Sequence, residues 1–494
     1  MLDTLFMGHA NADDADMFID KQFVANEIRA FKSSRRFRDM ANGESYYRGR
    51  HDILFRQRTA IGANGELEVV KNLPNNRIVD NQYKKMVDQK CNYLLGQPVS
   101  VQCDNAAYSK CLKELFNKSF QRTLKFVGED ALNCGIGWLF LYYDELGELA
   151  FKRFSPLECI PEWHDAEHTE LDALIRVYDV IAYENNSWRV IHKVEIYAQR
   201  GISYFTLTDG GDLIPEAPYF QNYFVVDNAA YNWLKIPIIP FKYNAKEIPL
   251  ITMVKSLQDG LNVIESDFQN IMQEDARNTI IVLKNYDGEN LGEFRRNLAQ
   301  YGAVKVSSAD GMNGDVTTLK IEANADNYKA ILEIFKKAII ENAMGYDAKD
   351  DRLSGNPNQM NIQSMYSDID LDANGMETEF QASFEKMLFF INSHLANVGL
   401  GDFRGEAVEI IFNRDILISE GEVIENCAKS VGLLSNETIV ANHPWVDDPQ
   451  RELERLEKQK QEEKAEFEHG YNPFEQQREI RDEPQGNGDD INEE

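Results

Sequence analysis

The stretch LITMVKSLQDGLNVIESDFQNI, residues 250–271, decides how the rest of the chain is read. Its apolar positions are Leu250, Val254, Leu257, Leu261, Ile264, Phe268 and Ile271, stepping by four and three in alternation. That spacing puts all of them on one stripe of an α-helix and makes a seam for a second helix. Two partners satisfy such a seam. One is another helix of the same subunit. The other is a copy of the chain, in which case Val254, Leu257, Leu261, Ile264 and Phe268 form a contact between subunits.

On the C-terminal side the period changes to that of strands. Thr279 to Leu283 is β-branched, Ala303 to Val306 is a second short run, and a Gly/Asn/Asp-rich turn at 310–315 precedes Val316 to Ile321. A helix over about 325–342 follows, with Tyr328, Ile331, Leu332, Phe335 and Ile339 apolar. The polar loop from Gly345 to Met360 is long for a compact domain, and such loops are usually functional or mobile. Next comes a very long acidic helix, Ile362 to about Val398, with Gly375 as a kink point. A strand at 408–412 and a charge-rich terminal helix begun by Asp448-Pro449 complete the ordered pattern. Beyond Gly470 the composition is polar and acidic, as in disordered tails.

On the N-terminal side, residues 1–45 read as a polar, partly helical arm without a clear register. Helices are expected over 75–95, stopped by Gly96 and Pro98, and over 105–134. Then short runs alternate. Trp138 to Tyr143 and Leu149 to Phe154 flank the turn Asp144-Glu145-Leu146-Gly147. Ala173 to Tyr183, Trp188 to Ile196 and Tyr204 to Leu207 are separated by Asn, Asp and Gly. This is an antiparallel meander, and the fold class is α+β.

Composition narrows the function. The chain has 494 residues, 43% of them hydrophobic, enough for a sizeable core. It carries 82 acids against 52 bases, a formal net charge of -30. A protein that grips DNA by displacing phosphate counterions needs the opposite balance. An acidic chain suits a protein that needs to repel DNA or that never meets it. No apolar run reaches the 18 or so residues of a membrane span, and the acidic N-terminus (Asp13, Asp14, Asp16) does not read as a secretory signal. Cys91, Cys103, Cys111, Cys134, Cys159 and Cys427 show no C-x-x-C pairing and read as reduced core residues.

Chemistry-bearing motifs are sparse. His164-Asp165-Ala166-Glu167-His168 spells the inverted zinc-peptidase pattern, but it follows Pro161 between strand-like runs, where no helix is expected to put both histidines on one face. A polar turn is the expectation, with a metal-dependent hydrolase as the enzymatic rival. No G-x-x-x-x-G-K-[ST] occurs, and no cofactor is expected. If the chain lines a DNA passage, the basic residues best placed are Lys336 and Lys337 on the second helix, and Lys349 and Arg352 beside Asp350 and Asp351 in the polar loop. Otherwise these charges are solvated surface.

The order of segments resembles the portal proteins of tailed bacteriophages, in the branch common among long-tailed phages of Gram-positive hosts. Tyr46-Tyr47-Arg48-Gly49-Arg50-His51-Asp52-Ile53 is similar to that branch's Y-Y-x-G-x-H-x-I, and Asn75 to Asn81 to its next block. Tyr93-Leu94-Leu95-Gly96-Gln97-Pro98 looks like its helix ending in G-x-P. Ile236 to Phe241 resembles the segment before its stem. Leu434-Ser435-Asn436-Glu437-Thr438 and Pro444 to Asp448 resemble its L-S-x-E-T and P-x-V-x-D elements. One departure stands at Met360 to Ser364, where the family often has S-G-x-A.

The resemblance implies a portal architecture. An α/β wing would span 1–245 with 398–417, and stem helices 246–276 and 323–342. A small α/β clip would span 277–322 and a tunnel loop 343–360. The long kinked helix at 361–397, a helical crown at 418–468 and a disordered acidic tail at 469–494 complete it. It implies no enzyme, but a ring of about twelve subunits at one capsid vertex. Double-stranded DNA would pass without sequence readout during packaging and ejection. Implied partners are the terminase large subunit, a head-completion or adaptor protein, and the major capsid and scaffold proteins. The setting would be the virion, assembled in the host cytoplasm. Another head-tail adaptor or scaffold-like subunit is the structural rival.

Overall fold

The structure, a computed structural model, describes residues 20–61, 65–70, 73–184, 187–226, 228–274, 280–284, 315–319, 325–347, 359–414, 420–446 and 449–470. Two units divide the chain: residues 1–348 with 365–416, and residues 349–364 with 417–494.

The first unit opens with two helices, α1 (Lys21–Ser33) and α2 (Arg35–Tyr47). The Asp20 carboxylate accepts the Gln22 and Phe23 N–H groups at the start of α1, and Ser34 Oγ accepts Phe37 N–H at the start of α2. The hairpin strands β1 (Thr59–Ile61) and β2 (Leu67–Val69) come next. The helix expected over 75–95 is α3, Gln82–Leu95, and residues 75–81 form no helix or strand. After β3 (Ser100–Gln102), the helix expected over 105–134 is two: α4 (Ala106–Leu115) and α5 (Lys118–Cys134). The break is chemical. Asn117 turns its carboxamide onto Ser119 and Phe120 N–H, so it caps a new helix rather than continuing the old one.

The meander follows as β4 (Ile136–Tyr143), β5 (Leu149–Phe154), β6 (Cys159–Trp163), β7 (Leu171–Glu184), β8 (Ser187–Ala198), β9 (Gly201–Leu207) and β10 (Leu213–Gln221). Strands β6 to β10 pair antiparallel in chain order, and a small hairpin, β11 (Phe224–Val226) and β12 (Ala229–Tyr231), precedes β13 (Ile238–Lys242). β13 joins β4 and β5 in a three-stranded sheet, with Ile239 opposite Leu139. The period-2 pattern sends alternate residues to opposite faces of the larger sheet. One face puts Leu174, Tyr197 and Ile202 with Trp138, Phe140 and Phe154 of the smaller sheet. The other puts Ile175, Ile196 and Phe205 with Val24 and Ile28 of α1.

Helix α6 (Ile251–Glu274) carries the opening stretch. Strands β14 (Ile280–Lys284) and β15 (Asp315–Leu319) pair antiparallel, and α7 (Ala325–Asn342) then packs on α6. The strand expected at 303–306 lies outside the described residues. Helix α8, Gln359–Asn397, runs unbroken through Gly375. Phe380 and Phe384 of α8 meet Phe241 of β13 in edge-on ring contacts at 4.9 and 5.9 Å. Strand β16 (Glu409–Ile411) pairs with β3, more than 300 positions away in sequence. The six cysteines are free thiols; Cys91, Cys134 and Cys159 are buried, the others half-buried.

The second unit contains α9 (Glu420–Lys429), α10 (Asn436–Ala441) and α11 (Pro449–Gly470). Ser435 caps α10 by accepting Thr438 N–H.

Candidate functional site

The site is built on the helix pair α6–α7. The takeoff of α6 is fixed by one buried carboxylate. Glu247 receives Arg36 at 2.6 Å, His168 at 2.7 Å and Lys242 at 3.4 Å. Its backbone passes so close to Gly135 that a Cβ there would stand 2.1 Å from Glu247 O, and Gly135 also has φ +82°. No other residue fits that position without moving the root of the helix.

The apolar stripe of α6 is used within the subunit first. Leu250, Val254 and Leu261 are fully buried. Leu257, Ile264, Phe268 and Ile271 are half-buried, and Phe268 stacks obliquely on Tyr328 of α7 at 4.6 Å. Of the five positions named as a subunit seam, Val254 and Leu261 therefore have no surface left to offer.

A second, polar stripe on α6 escaped the reading by hydrophobic pattern. Gln258, Asn262, Ser266 and Asn270 recur every fourth residue, and all four are buried. They face the segment 75–81 and the first turn of α3, and bond to a backbone stretch that has no strand partner among the described residues. Asn270 Oδ1 accepts Asn76 N–H at 2.7 Å, and Ser266 Oγ accepts Ile78 N–H at 2.9 Å. Asn262 Oδ1 accepts Asp80 N–H at 3.1 Å, and Gln258 Oε1 accepts Tyr83 N–H at 3.0 Å. Gln258 Nε2 returns a bond to Asp80 O at 2.7 Å. Buried backbone groups need such partners, because leaving one unpaired costs about 1–3 kcal/mol. The sequence signal was the four-residue spacing of uncharged polar side chains, which in isolation looks like a solvated face.

The block at 46–53 closes the same site. His51 is fully buried, stacked on Tyr46 with ring centroids 4.3 Å apart. Burial lowers its pKa below the usual 6.5, with the Tyr46 carbonyl opposing. Tyr46 OH reaches Asp259 at 2.5 Å, and Lys255 bridges Asp52 at 2.6 Å and Asp259 at 2.8 Å.

Lys336 and Lys337, the two candidate channel bases on α7, part company. Lys336 Nζ lies 2.7 Å from Asp80 and 3.6 Å from Glu265, tying α7 to the segment 75–81 and to α6. Its bond to Asp80 raises its pKa. Burial works to raise Asp80 too, but Lys336 pulls it below its usual value, and Glu265, half-buried beside Asp80, is pushed up. Lys337 is exposed and makes a loose 3.9 Å pair with Glu341 one turn on. Lys349, Asp350, Asp351 and Arg352 lie outside the described residues.

The H-x-x-E-H segment is a turn between β6 and β7. Asp165 organises it, accepting N–H groups from Glu167, Thr169 and Glu170, and these backbone bonds hold its carboxyl well below the usual range. His164 pairs with Asp172 and His168 with Glu247, so the two rings serve different carboxylates. Among the described residues no cluster of His, Cys, Asp or Glu could hold a metal ion. Among them, too, no helix is long and apolar enough to cross a membrane.

The model of the family described as phage portal protein, SPP1 Gp6-like, matches residues 32–466. The portal protein of Bacillus phage SPP1 is 29% identical over 427 residues, covering 85% of this chain and 83% of that protein. The portal protein of Clostridium phage phiCD119 is 27% identical over 449 residues, covering 87% and 94%. A solved structure titled as the neck of an empty GTA particle covers 73% of this chain and 88% of its own at 11% identity, with a TM-score of 0.36, too distant to add to this. With the matched region running from α1 into α11, the chain belongs to the SPP1 Gp6-like family of phage portal proteins.

Proposed function

We propose that this chain forms a closed ring of about twelve subunits at one capsid vertex, through which double-stranded DNA enters and leaves. The family match over residues 32–466 carries the reading. The wing, stem, clip, tunnel-loop and crown boundaries given above are part of it. In this reading α6 and α7 are the stem, and the segment 343–360 reaches toward the DNA with Lys349 and Arg352 as its cations.

The charge supports it. A net -30 on each subunit gives a wall that repels phosphate, and a few exposed bases give weak, exchangeable contacts. Lys337 fits that role on α7 better than Lys336, whose ammonium is engaged by two carboxylates. Closure needs a heterologous surface, one patch meeting a different patch on the next copy. On α7, Ile331 and Ile334 stand 41% and 64% exposed, and the helical period turns them away from Lys336. We assign them to the subunit contact, alongside the half-buried Leu257, Ile264 and Phe268.

No nucleotide motif is present, so packaging energy would come from a terminase docked on the clip. A head-completion protein would follow on that surface, and capsid and scaffold proteins would meet the wing. The test replaces Lys349 and Arg352 by Ala in particles assembled with this protein. Faster loss of packaged DNA or an altered packaging rate supports the reading; unchanged rate and retention would remove the loop from the mechanism.

A further inference from the structure

Four residues of α3, at helical spacing, converge on the start of the α7–α8 connection and on the first turns of α8 behind it. Met86, Gln89, Lys90 and Tyr93 share one face of the helix. Gln89 makes two bonds to one residue: its Oε1 accepts Tyr346 N–H at 3.1 Å and its Nε2 donates to Tyr346 O at 2.9 Å. Lys90 Nζ donates to Met344 O at 3.2 Å and to Asp372 of α8 at 2.6 Å. Asp372 also accepts from Tyr243 OH, one residue past β13, at 2.8 Å. Tyr366 of α8 stacks between Tyr346, at 4.6 Å, and Tyr93, at 5.7 Å.

The backbone fits this seat tightly. Met344 takes φ +51°, a left-handed conformation that a side chain adopts only where surroundings hold it. At Gly345 an added Cβ would lie 2.7 Å from Met86 Sδ and 2.9 Å from Gln89 Oε1. The Lys90 side chain is 2% exposed, so its charge is expensive to leave unpaired. Burial pushes the ammonium's pKa down, and Asp372 and Asp368 oppose that fall. Neither the heptad seam nor the polar stripe of α6 requires this arrangement.

We propose that Lys90 is a positioning residue: it fixes where the α7–α8 connection leaves the fold by locking the Met344 carbonyl to Asp372 of α8, with Gln89 as its second clamp. Its importance for DNA rests on reading segment 343–360 as the channel loop; the clamp itself does not.

The experiment compares Lys90→Met and Gln89→Ala in the full-length protein by hydrogen–deuterium exchange. In both, the Gly345 and Tyr346 amides should exchange about tenfold faster while amides of α5 keep their rates, because a lost clamp opens locally. Unchanged exchange at 344–346, or an equal rise across α5, would overturn the proposal and leave Lys90 as an ordinary buried charge. Should Lys90→Met not fold, Gln89→Ala carries the same test. DNA retention in particles built with Gln89→Ala separates the two readings. Loosened exchange with unaltered retention keeps the clamp and sinks the channel role.

Discussion

The Asn262 carboxamide donates to His51 Nδ1 at 2.8 Å, and this bond selects the neutral imidazole with its proton on Nε2, where it meets the Tyr46 carbonyl at 3.1 Å. Asn262 cannot turn over to accept instead, because its oxygen already takes Asp80 N–H and Gln258 Nε2–H. A protonated His51 would aim a second N–H at a donor. The block at 46–53 and the segment 75–81 are thus locked through one side chain of α6.

The lock gives a pH dependence with a definite sign. Burial lowers the folded-state pKa of His51 below 6.5, so the unfolded chain takes up the proton first. Its contribution is present above about pH 6.5 and is lost as pH falls toward the lower folded value. Between pH 7 and pH 5 this share of the stability is lost, while buried Asp130, pushed up to about 7, works the other way, so the test is the difference: the urea midpoint of His51→Gln should lose less than that of the unmodified protein over this range. His394, also lowered by burial, acts in the same direction as His51 in both proteins. An identical change in the variant would show that His51 does not titrate as argued.

Removing the carboxamide is a stronger perturbation. Asn262→Ala takes this partner from the half-buried Asp80 amide and from Nδ1 of the fully buried His51, which should cost about 2–4 kcal/mol by denaturant unfolding. Ser266→Ala removes one bond of the same series and should cost about 1 kcal/mol. Equal, small losses would mean that water replaces the stripe.

Leu261 and Ile334 should separate folding from assembly. Leu261 is fully buried, so Leu261→Asp should unfold the helix pair rather than yield well-folded single subunits. Ile334 is 64% exposed, so Ile334→Asp should keep the far-ultraviolet circular dichroism and melting temperature while shifting native mass toward monomer. Normal rings from Ile334→Asp would put the contact elsewhere.

Gly135→Ala tests the root of α6. Its positive φ and the 2.1 Å approach to Glu247 O both oppose a Cβ, and the loss should be about 3 kcal/mol or more. A change under about 1 kcal/mol would mean that the junction relaxes.

The sequence made the long elements legible for a physical reason: periodicity survives wherever one face is buried. The pattern over 325–342 is α7, and Ile362 to Val398 is α8 to within a few residues. What escaped lies where a side chain competes with the backbone. Asn117 splits a helix by capping, and Gln258, Asn262, Ser266 and Asn270 turn residues 75–81 from expected helix into a segment held by side chains. The heptad seam was visible with its two candidate partners, but not which of its positions the helix of the same subunit takes. Lys336 and Lys337 are neighbours of one type in sequence, and only the fold separates the engaged ammonium from the exposed one.

The central claim is a ring with a passage, and negative-stain electron microscopy of the purified full-length protein, with native mass, tests it most directly. The account predicts rings with a central hole and a mass near twelve subunits. A small closed dimer without a hole, at every concentration tried, would contradict it.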